Sequence, residues 1–434
     1  MRKMKDSGVA WIGEIPDDWR LIRFKDKYRS VKEIAKGQSV NYERLALTLG
    51  GVVKRPKDDS EGLQPKEFDG YQILRENDFI FKMIDLQNVS TSRVGLSPYT
   101  GLVSPAYIRF SPKKDGRESK FIYYYLMSLY YNQVFNNLGG NGVRSALSAK
   151  DMGEFMIPYP PEETEQKSIC VALDKKSEQI DVLISNVQAQ IEKLKAYKQS
   201  LITEVVTKGL DPNVPMKDSG VEWIGEIPVS WGIAKLQYCA KIRSGITLGK
   251  KYPDGAELIE RPYLRVANVQ NGGVVLDDLK TIEVSAEEDA QYRLSAGEVL
   301  MTEGGDRDKL GRGCVWLGQV EPCLHQNHIF ALRTNKLLNP YFLSYVTTSK
   351  IGRVYFDITA IKTTNLACTN SSKVLAFKLP LPSAGEQQQM VDYLDRQVDK
   401  IDKLISAKQS KIEKLEQYKR SLIYEYVTGK KEVS

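Results

Sequence analysis

Residues Met4 to Trp19 read M-K-D-S-G-V-A-W-I-G-E-I-P-D-D-W, and Met216 to Trp231 read M-K-D-S-G-V-E-W-I-G-E-I-P-V-S-W. From Met4 to Pro16 the copies differ only at Ala10 and Glu222. A near-verbatim return of this length makes the chain a tandem duplication, so any fold proposed for one half must serve the other. Trp11, Ile12, Ile15 and Trp19 form an apolar cluster in the first copy, as do Trp223, Ile224, Ile227 and Trp231 in the second. The spacing suits an opening segment that seats the domain after it; base stacking by the tryptophans is the other reading.

Two dissimilar regions follow, about Arg20 to Pro161 and Gly232 to Pro382. Both are built of short apolar runs, among them Asp78 to Phe81, Ala106 to Phe110, Tyr263 to Val266, Glu298 to Met301 and Ile329 to Leu332. Glycine pairs such as Gly50-Gly51 and Gly272-Gly273 punctuate them, which predicts strand-rich mixed sheet. One helix is expected in each region. Ser119 would cap Lys120 to Tyr131, and Asn339-Pro340 would cap Tyr341 to Lys350. Tyr123-Tyr124-Tyr125 and Tyr345 then fall at matching places, so the two regions should share a fold.

Each region exits through prolines, Ile157-Pro158-Tyr159-Pro160 and Leu379-Pro380-Leu381-Pro382, into a long proline-free stretch. These stretches start near Glu163 and Gly385 and run to Thr207 and Thr428. About 40 helical residues would span roughly 60 Å. Leu173, Ile180, Val187, Leu194 and Leu201 recur every seven residues, with Ile184, Ile191, Lys198 and Val205 four positions later. Leu394, Ile401, Lys408, Leu415 and Leu422 do the same with Val398, Ile405, Ile412, Lys419 and Tyr426. This is coiled-coil spacing. The seam is expected to comprise Ile180, Ile184, Val187, Ile191, Leu194 and Leu201 against Ile401, Ile405, Ile412, Leu415 and Leu422. Lys198 and Lys419 share one heptad position, so a parallel pair in register would oppose two cations in the seam. An antiparallel pair separates them, and would place the variable domains at opposite ends of a rigid rod. The fold class is therefore α+β: two strand-rich mixed α/β domains, separated by two long helices that form an antiparallel coiled coil about a pseudo-two-fold axis. The expected divisions are 1–161 (opening segment 4–19), 162–210, 211–382 (opening segment 216–231) and 383–434.

The 434 residues suffice for two or three packed domains. No apolar run approaches the roughly 20 residues that cross a bilayer. The N-terminus lacks the apolar core of a secretory signal, and a cytoplasmic location is expected. The five cysteines are scattered with no C-x-x-C pair and read as reduced thiols. Catalytic motifs fail one by one. Asn339-Pro340-Tyr341-Phe342 lacks a proline of the adenine-methyltransferase loop and fits a helix cap. Gly245 to Lys251 is too short for a phosphate-binding loop and lacks its Ser/Thr. Pro253-Asp254 with Asp278-Leu279-Lys280 only loosely matches a nuclease pattern. Cys323, His325 and His328 lack a fourth metal ligand and read as polar residues at a strand edge or groove. Two histidines in the whole chain leave little for general-base chemistry.

Binding groups remain. The net charge of +7 is compatible with a polyanionic partner. Basic residues interleave with turns at Lys54, Arg55, Lys57, Lys113, Lys114, Arg144, Lys250, Lys251, Arg265, Arg307, Arg312 and Lys362. Amide and hydroxyl side chains lie near them in sequence: Asn268, Gln270, Gln326, Asn327 and Thr363. Cations neutralise phosphates, while Arg, Asn and Gln can read base edges. Any one of these is more often a solvated surface group than a DNA contact; the collective pattern points to DNA.

Taken together, the parts resemble the specificity subunits of type I restriction-modification systems. The resemblance rests on the repeated K-D-S-G-V-x-W-I-G-E-I-P-x-x-W and the P-x-P…E-Q exits at Glu165-Gln166 and Glu386-Gln387. Leu194 to Thr207 and Leu415 to Thr428 carry it at the helix ends, and Ser244-Gly245, Pro262 to Val269, Gly297 to Leu300 and His325-Gln326-Asn327 carry it in the second variable region. It covers essentially the whole chain, and the first variable region is the least typical part. It implies a non-catalytic subunit whose two target-recognition domains each read half of a bipartite double-stranded DNA site. The helices would hold the domains apart and dock two modification (methyltransferase) subunits, with restriction (motor-nuclease) subunits as a further partner. S-adenosylmethionine, ATP and Mg would sit on those partners and none in this chain. A protein-binding scaffold and a fused methylase or nuclease are the competing classes.

Overall fold

The computed structural model describes residues 2–59, 67–86, 93–116, 118–138, 146–305, 310–311, 313–362 and 367–433. They fall into two units, Met1–Val187 with Ser410–Ser434, and Gln188–Gln409. Each unit contains one strand-rich domain and a stretch of both long helices, because the repeats share their helices.

In the first unit the opening segment is a hairpin, Met4–Asp6 against Glu14–Pro16. Ile12, Ile15 and Trp19 are wholly buried beneath it. Arg20–Arg23 then pairs antiparallel with the exit strand Met156–Tyr159, so the domain begins and ends at one place. Between them lie two four-stranded sheets. One runs Gly51–Arg55, Arg44–Thr48, Gly101–Val103, Gln72–Leu74. The other runs Tyr28–Ser30, Ile108–Pro112, Phe79–Phe81, Val94–Leu96. Phe24, Tyr28, Phe79, Phe81 and Phe110 pack edge-to-face and stacked, with ring centroids 4.8–6.0 Å apart. That accounts for the phenylalanine-rich runs as core.

The second unit repeats the frame. Met216–Asp218 pairs with Glu226–Pro228, and Gly232–Lys235 with Lys378–Leu381. Its main sheet differs: Ala240–Ser244, Ile329–Thr334, Val299–Thr302, Gly313–Val315. A second sheet places Ile259–Leu264 between Lys280–Val284 and Leu324–His325.

The expected helices occur at Ser119–Tyr131 and Pro340–Thr348. Asn339 is the cap foreseen, its side chain accepting from the Tyr341 and Phe342 amides at 2.8 and 3.3 Å. Ser119 is not a cap. Glu118 holds that position, and the Ser119 hydroxyl is buried at 2.7 Å from the Tyr28 hydroxyl. Among the described residues six further helices accompany these two: Phe24–Lys27, Val134–Leu138, Ala149–Gly153, Ala286–Tyr292, Lys350–Thr359 and Ser371–Ala376. Most span too few turns to display a helical period against their flanking strands.

The long helices are Glu163–Lys208 and Ala384–Val427. In each unit they pair antiparallel. Lys419 donates to Asp181 at 2.7 Å in the first unit. Lys198 donates to Asp402 at 2.7 Å and Lys408 to Gln190 at 2.6 Å in the second. Ile180, Val187, Ile191, Leu201, Ile401, Ile412 and Leu422 are buried, and Ile184, Leu194, Ile405 and Leu415 half-buried, as the heptads require. The seam lysines escape repulsion because each meets a carboxylate or amide across the seam.

The repeated motifs are the joints between helix and domain. The Trp19 indole donates to Glu165 at 3.3 Å, and that of Trp231 to Glu386 at 3.2 Å. Gln166 and Gln387 are buried and donate back to the carbonyls of Pro160 and Pro382 at 3.0 and 2.9 Å. The Tyr124 hydroxyl donates to Asp174, and that of Tyr345 to Asp395, both at 2.6 Å. Each helix ends at a positive-φ glycine, Gly209 (+80°) or Gly429 (+72°), which seats on Trp231 or on Pro16 and Trp19 respectively. The last turn of the chain thus packs on the first hairpin, where Tyr424 donates to the Ile12 carbonyl at 2.9 Å.

Candidate nucleic-acid interface

In the first unit the antiparallel hairpin of Arg44–Thr48 and Gly51–Arg55 sets Arg44 opposite Arg55. Lys54, Arg55 and Lys57 come together there in a surface groove of about 560 Å³, lined also by Asn41, Tyr42, Glu43 and Arg44. Lys54 pairs with Glu43 at 2.5 Å and lies over the Tyr99 ring at 5.1 Å; Arg55 lies 3.5 Å from Asp59. Lys57 donates to the Ser39 carbonyl at 2.8 Å. The Lys54–Glu43 pair is exposed, and such pairs are worth about 0–1 kcal/mol, so a phosphate can replace that carboxylate at small cost. The sequence reading missed Asn41 and Arg44. The cross-strand register, set by the Gly50-Gly51 turn, brings Arg44 to the groove, and Asn41 lies just before that strand. Lys113 and Lys114 are exposed just after Ile108–Pro112, on the other sheet, and do not line this groove.

In the second unit the motifs of the recognition region converge. The parallel pairing of Ile259–Leu264 with Leu324–His325 brings the turn from Arg265 beside Gln326, whose amide donates to the Leu264 carbonyl at 2.9 Å. The Asn327 amide donates to Ile246 at 2.9 Å, and the Ile246 amide to His325 at 2.8 Å. Gly245 permits this approach, since a Cβ there would stand 1.9 Å from the His325 carbonyl oxygen. Gln326 and Asn327 are half-buried beside it. Arg265 is half-exposed and donates to Asp278 at 2.6 Å. Gln270 is also half-exposed, donating to the Ala267 carbonyl at 2.8 Å. Lys250 pairs with Glu288, and Lys251 is exposed.

Asn268 has to be withdrawn as a base reader. It is buried, its amide oxygen accepts the Arg265 backbone N–H at 2.8 Å, and its NH2 donates to the Val275 carbonyl at 2.8 Å. It holds the turn that presents Arg265 and Gln270. Arg144, Arg307, Arg312 and Thr363 lie outside the described residues, as does the side chain of Lys362 on the strand Ile361–Lys362.

His325 lies on the edge strand of its sheet, Leu324–His325, but is wholly buried and not open to a groove. Burial pushes its imidazole pKa down to about 4, which keeps the ring neutral. His328 is exposed and lies 2.6 Å from Glu303. Among the described residues no group of three His, Cys, Asp or Glu could hold a metal ion. No helix is long and apolar enough to cross a membrane, again among the described residues.

The architecture is that of a duplicated recognition protein, two unlike domains on one shared pair of antiparallel helices. Comparison with known proteins gives that class its family. The profile of the type I restriction modification DNA specificity domain matches twice, over residues 17–193 and 228–414. The chain belongs to this family, as a specificity subunit carrying two such domains. The MjaVIII specificity subunit of Methanocaldococcus jannaschii is 25% identical over 96% of this chain and 93% of its own length. The EcoKI specificity subunit of Escherichia coli is 22% identical over 93% and 88%. A chain from a solved structure described as the basis of complex assembly and conformational transition of the type I R-M system superposes with a TM-score of 0.66. It is 16% identical, over 95% of this chain and 98% of that one, and its likeness concerns the fold.

Proposed function

We propose that each domain reads one half of a bipartite site on double-stranded DNA, while the paired helices fix the spacer and dock two modification subunits. One observation carries the reading: near-identical joints support two recognition surfaces with different sheets, turns and exposed cations. One domain reads only a few base pairs, and each mismatch costs about 1–3 kcal/mol. Two domains in one chain combine their discrimination in a single binding event. The groove at Lys54, Arg55 and Lys57 and the turn at Arg265 and Gln270 are the surfaces proposed to meet DNA. The chain itself performs no chemistry in this reading. S-adenosylmethionine sits on the modification subunits, and restriction subunits, where present, bring ATP and Mg. The complex works in the cytoplasm.

The test is a map of methylated sites in DNA from a host carrying this chain with its modification partner. A split motif with a fixed spacer is expected, and a continuous motif would overturn the reading. Removing one heptad from both helices should shorten the spacer or abolish methylation. The purified chain alone, given labelled S-adenosylmethionine and DNA, should transfer no methyl group.

A further inference from the structure

The two unlike variable regions keep one short sequence in common. Leu49-Gly50-Gly51-Val52-Val53 in the first unit returns as Asn271-Gly272-Gly273-Val274-Val275 in the second. Both fold as the tip of an antiparallel hairpin with a two-residue turn, Thr48 opposite Gly51 and Gln270 opposite Gly273. The next pair down is apolar and packs on the core of its domain, Leu47 opposite Val52 and Val269 opposite Val274. Each hairpin follows a parallel pairing, Arg44 with Leu102 and Leu264 with His325, so the two sit at matching places in the chain path. The positive φ falls on a glycine in each, Gly51 at +99° and Gly272 at +81°. The tip position is therefore open to any side chain, and it is the position that differs. Leu49 is 69% exposed, and Asn271 is exposed in its place.

The dimensions suit a DNA groove. Two residues separate the tip from its packed pair, a projection of about 7 Å. The major groove is about 8.5 Å deep, and its width of about 12 Å admits a two-stranded ribbon. The exposed Lys54 lies two residues beyond Val52, and the half-exposed Arg265 precedes the second hairpin; both can hold phosphates at the groove rim. A leucine at the tip offers only apolar surface, which suits the C5-methyl of thymine. An asparagine amide donates and accepts at once, which suits N7 and N6 of adenine. Its neighbours Asn268 and Gln270 spend their NH2 groups on the carbonyls of Val275 and Ala267, at 2.8 Å each. We propose that this duplicated hairpin enters the major groove in both domains and that its tip residue selects a base, Leu49 a thymine in one half-site and Asn271 an adenine in the other. The inference rests on the reading that both domains bind DNA, and adds the position at which one repeated hairpin gives each domain its own preference.

The experiment uses the full chain with its modification subunit, mapping methylated motifs in a host and measuring affinity for synthetic duplexes. L49A should relax one thymine position in one half-site, and N271A one adenine position in the other, neither being the base that is methylated. N271A should also bind the preferred duplex about tenfold more weakly. Deoxyuridine in place of that thymine removes only the methyl group; it should weaken the wild type about fourfold and leave L49A unaffected. In the same way 7-deazaadenine in place of that adenine should weaken the wild type and leave N271A unaffected. Circular dichroism melts matching the wild type establish that the substituted chains fold. An unchanged motif in either variant, or an equal loss of affinity for every sequence, would overturn the inference and leave the bipartite reading standing. A wild-type half-site with no A·T pair beyond the methylated base would overturn it too. A continuous motif, or no DNA binding by the wild-type complex, would overturn the proposed function itself.

Discussion

The two units place a buried carboxylate at the head of their central strand and neutralise it differently. Asp78 accepts the Arg75 backbone N–H at 2.7 Å and the Arg109 guanidinium at 2.6 Å. Glu298 accepts the Ser295 N–H at 3.0 Å and pairs with Arg243 at 2.9 Å and Arg333 at 3.0 Å. The carboxylates perform the same turn-closing role, but their partners live in different environments. The Arg109 side chain is 2% exposed, whereas Arg243 and Arg333 are 34% and 60% exposed. The duplication has preserved the backbone requirement and left the cation free to move.

The largest effect expected from this difference is at Asp78. Asp78→Ala leaves the buried Arg109 guanidinium with Glu33, 3.2 Å away, as its remaining carboxylate among the described residues, and should cost about 3–5 kcal/mol. Glu298→Ala releases two arginines that can hydrate, and should cost less, about 1–3 kcal/mol. Urea unfolding, with hydrogen exchange to assign the loss to a unit, measures both. Equal losses would show that partner burial does not govern these sites.

Acid should separate the units next. Both histidines of the chain, His325 and His328, belong to the second unit. Burial lowers the His325 pKa from 6.5 to about 4. A histidine so depressed contributes stability that is fully present above pH 6.5 and is lost as pH falls toward 4, because the unfolded ring takes up a proton that the folded ring refuses. The loss amounts to about 3 kcal/mol for a shift of this size. Between pH 6.5 and 4.5 the second unit should weaken and the first should hold. His325→Gln should flatten that pH dependence in unfolding curves. A parallel decline of both units would place its origin elsewhere.

Much of the frame was legible in the sequence, because its signals are periodic or repeated. The heptad rows locate both long helices to within a residue or two at most ends, and the shared position of Lys198 and Lys419 points to the antiparallel pairing. The E-Q motifs were visible too, although their roles, glutamate to the indole and glutamine to the proline carbonyl, needed coordinates. The surfaces proposed to meet DNA were harder to see. Lys54, Arg55 and Lys57 are close in sequence and remain close in space, but Arg44 joins them only through strand register. Asn268 has the composition of a base reader and the position of a turn-former, a distinction set by burial, which a single sequence does not display. His325 looked like a surface polar residue because the glycine that lets it pack, Gly245, stands eighty positions away.

The smallest predicted effect concerns the joints, where the comparison should yield no difference. Tyr124 and Tyr345 come from domain helices of unlike sequence, Ser119–Tyr131 and Pro340–Thr348, yet each donates to a long-helix aspartate at 2.6 Å. Burial raises the pKa of both phenols, and the hydrogen bond and charge of the aspartate raise it further, so both remain donors at neutral pH. Tyr124→Phe and Tyr345→Phe each remove one hydroxyl and leave the ring packed. A partly exposed bond to a charged acceptor makes a cost of about 1 kcal/mol reasonable for each. The two losses, measured by urea unfolding and assigned by hydrogen exchange, should agree within about 0.5 kcal/mol. Agreement would mean that the recognition domains diverged above joints of conserved strength. A loss concentrated in one unit would mean that the duplication kept the geometry of the joint without its energy.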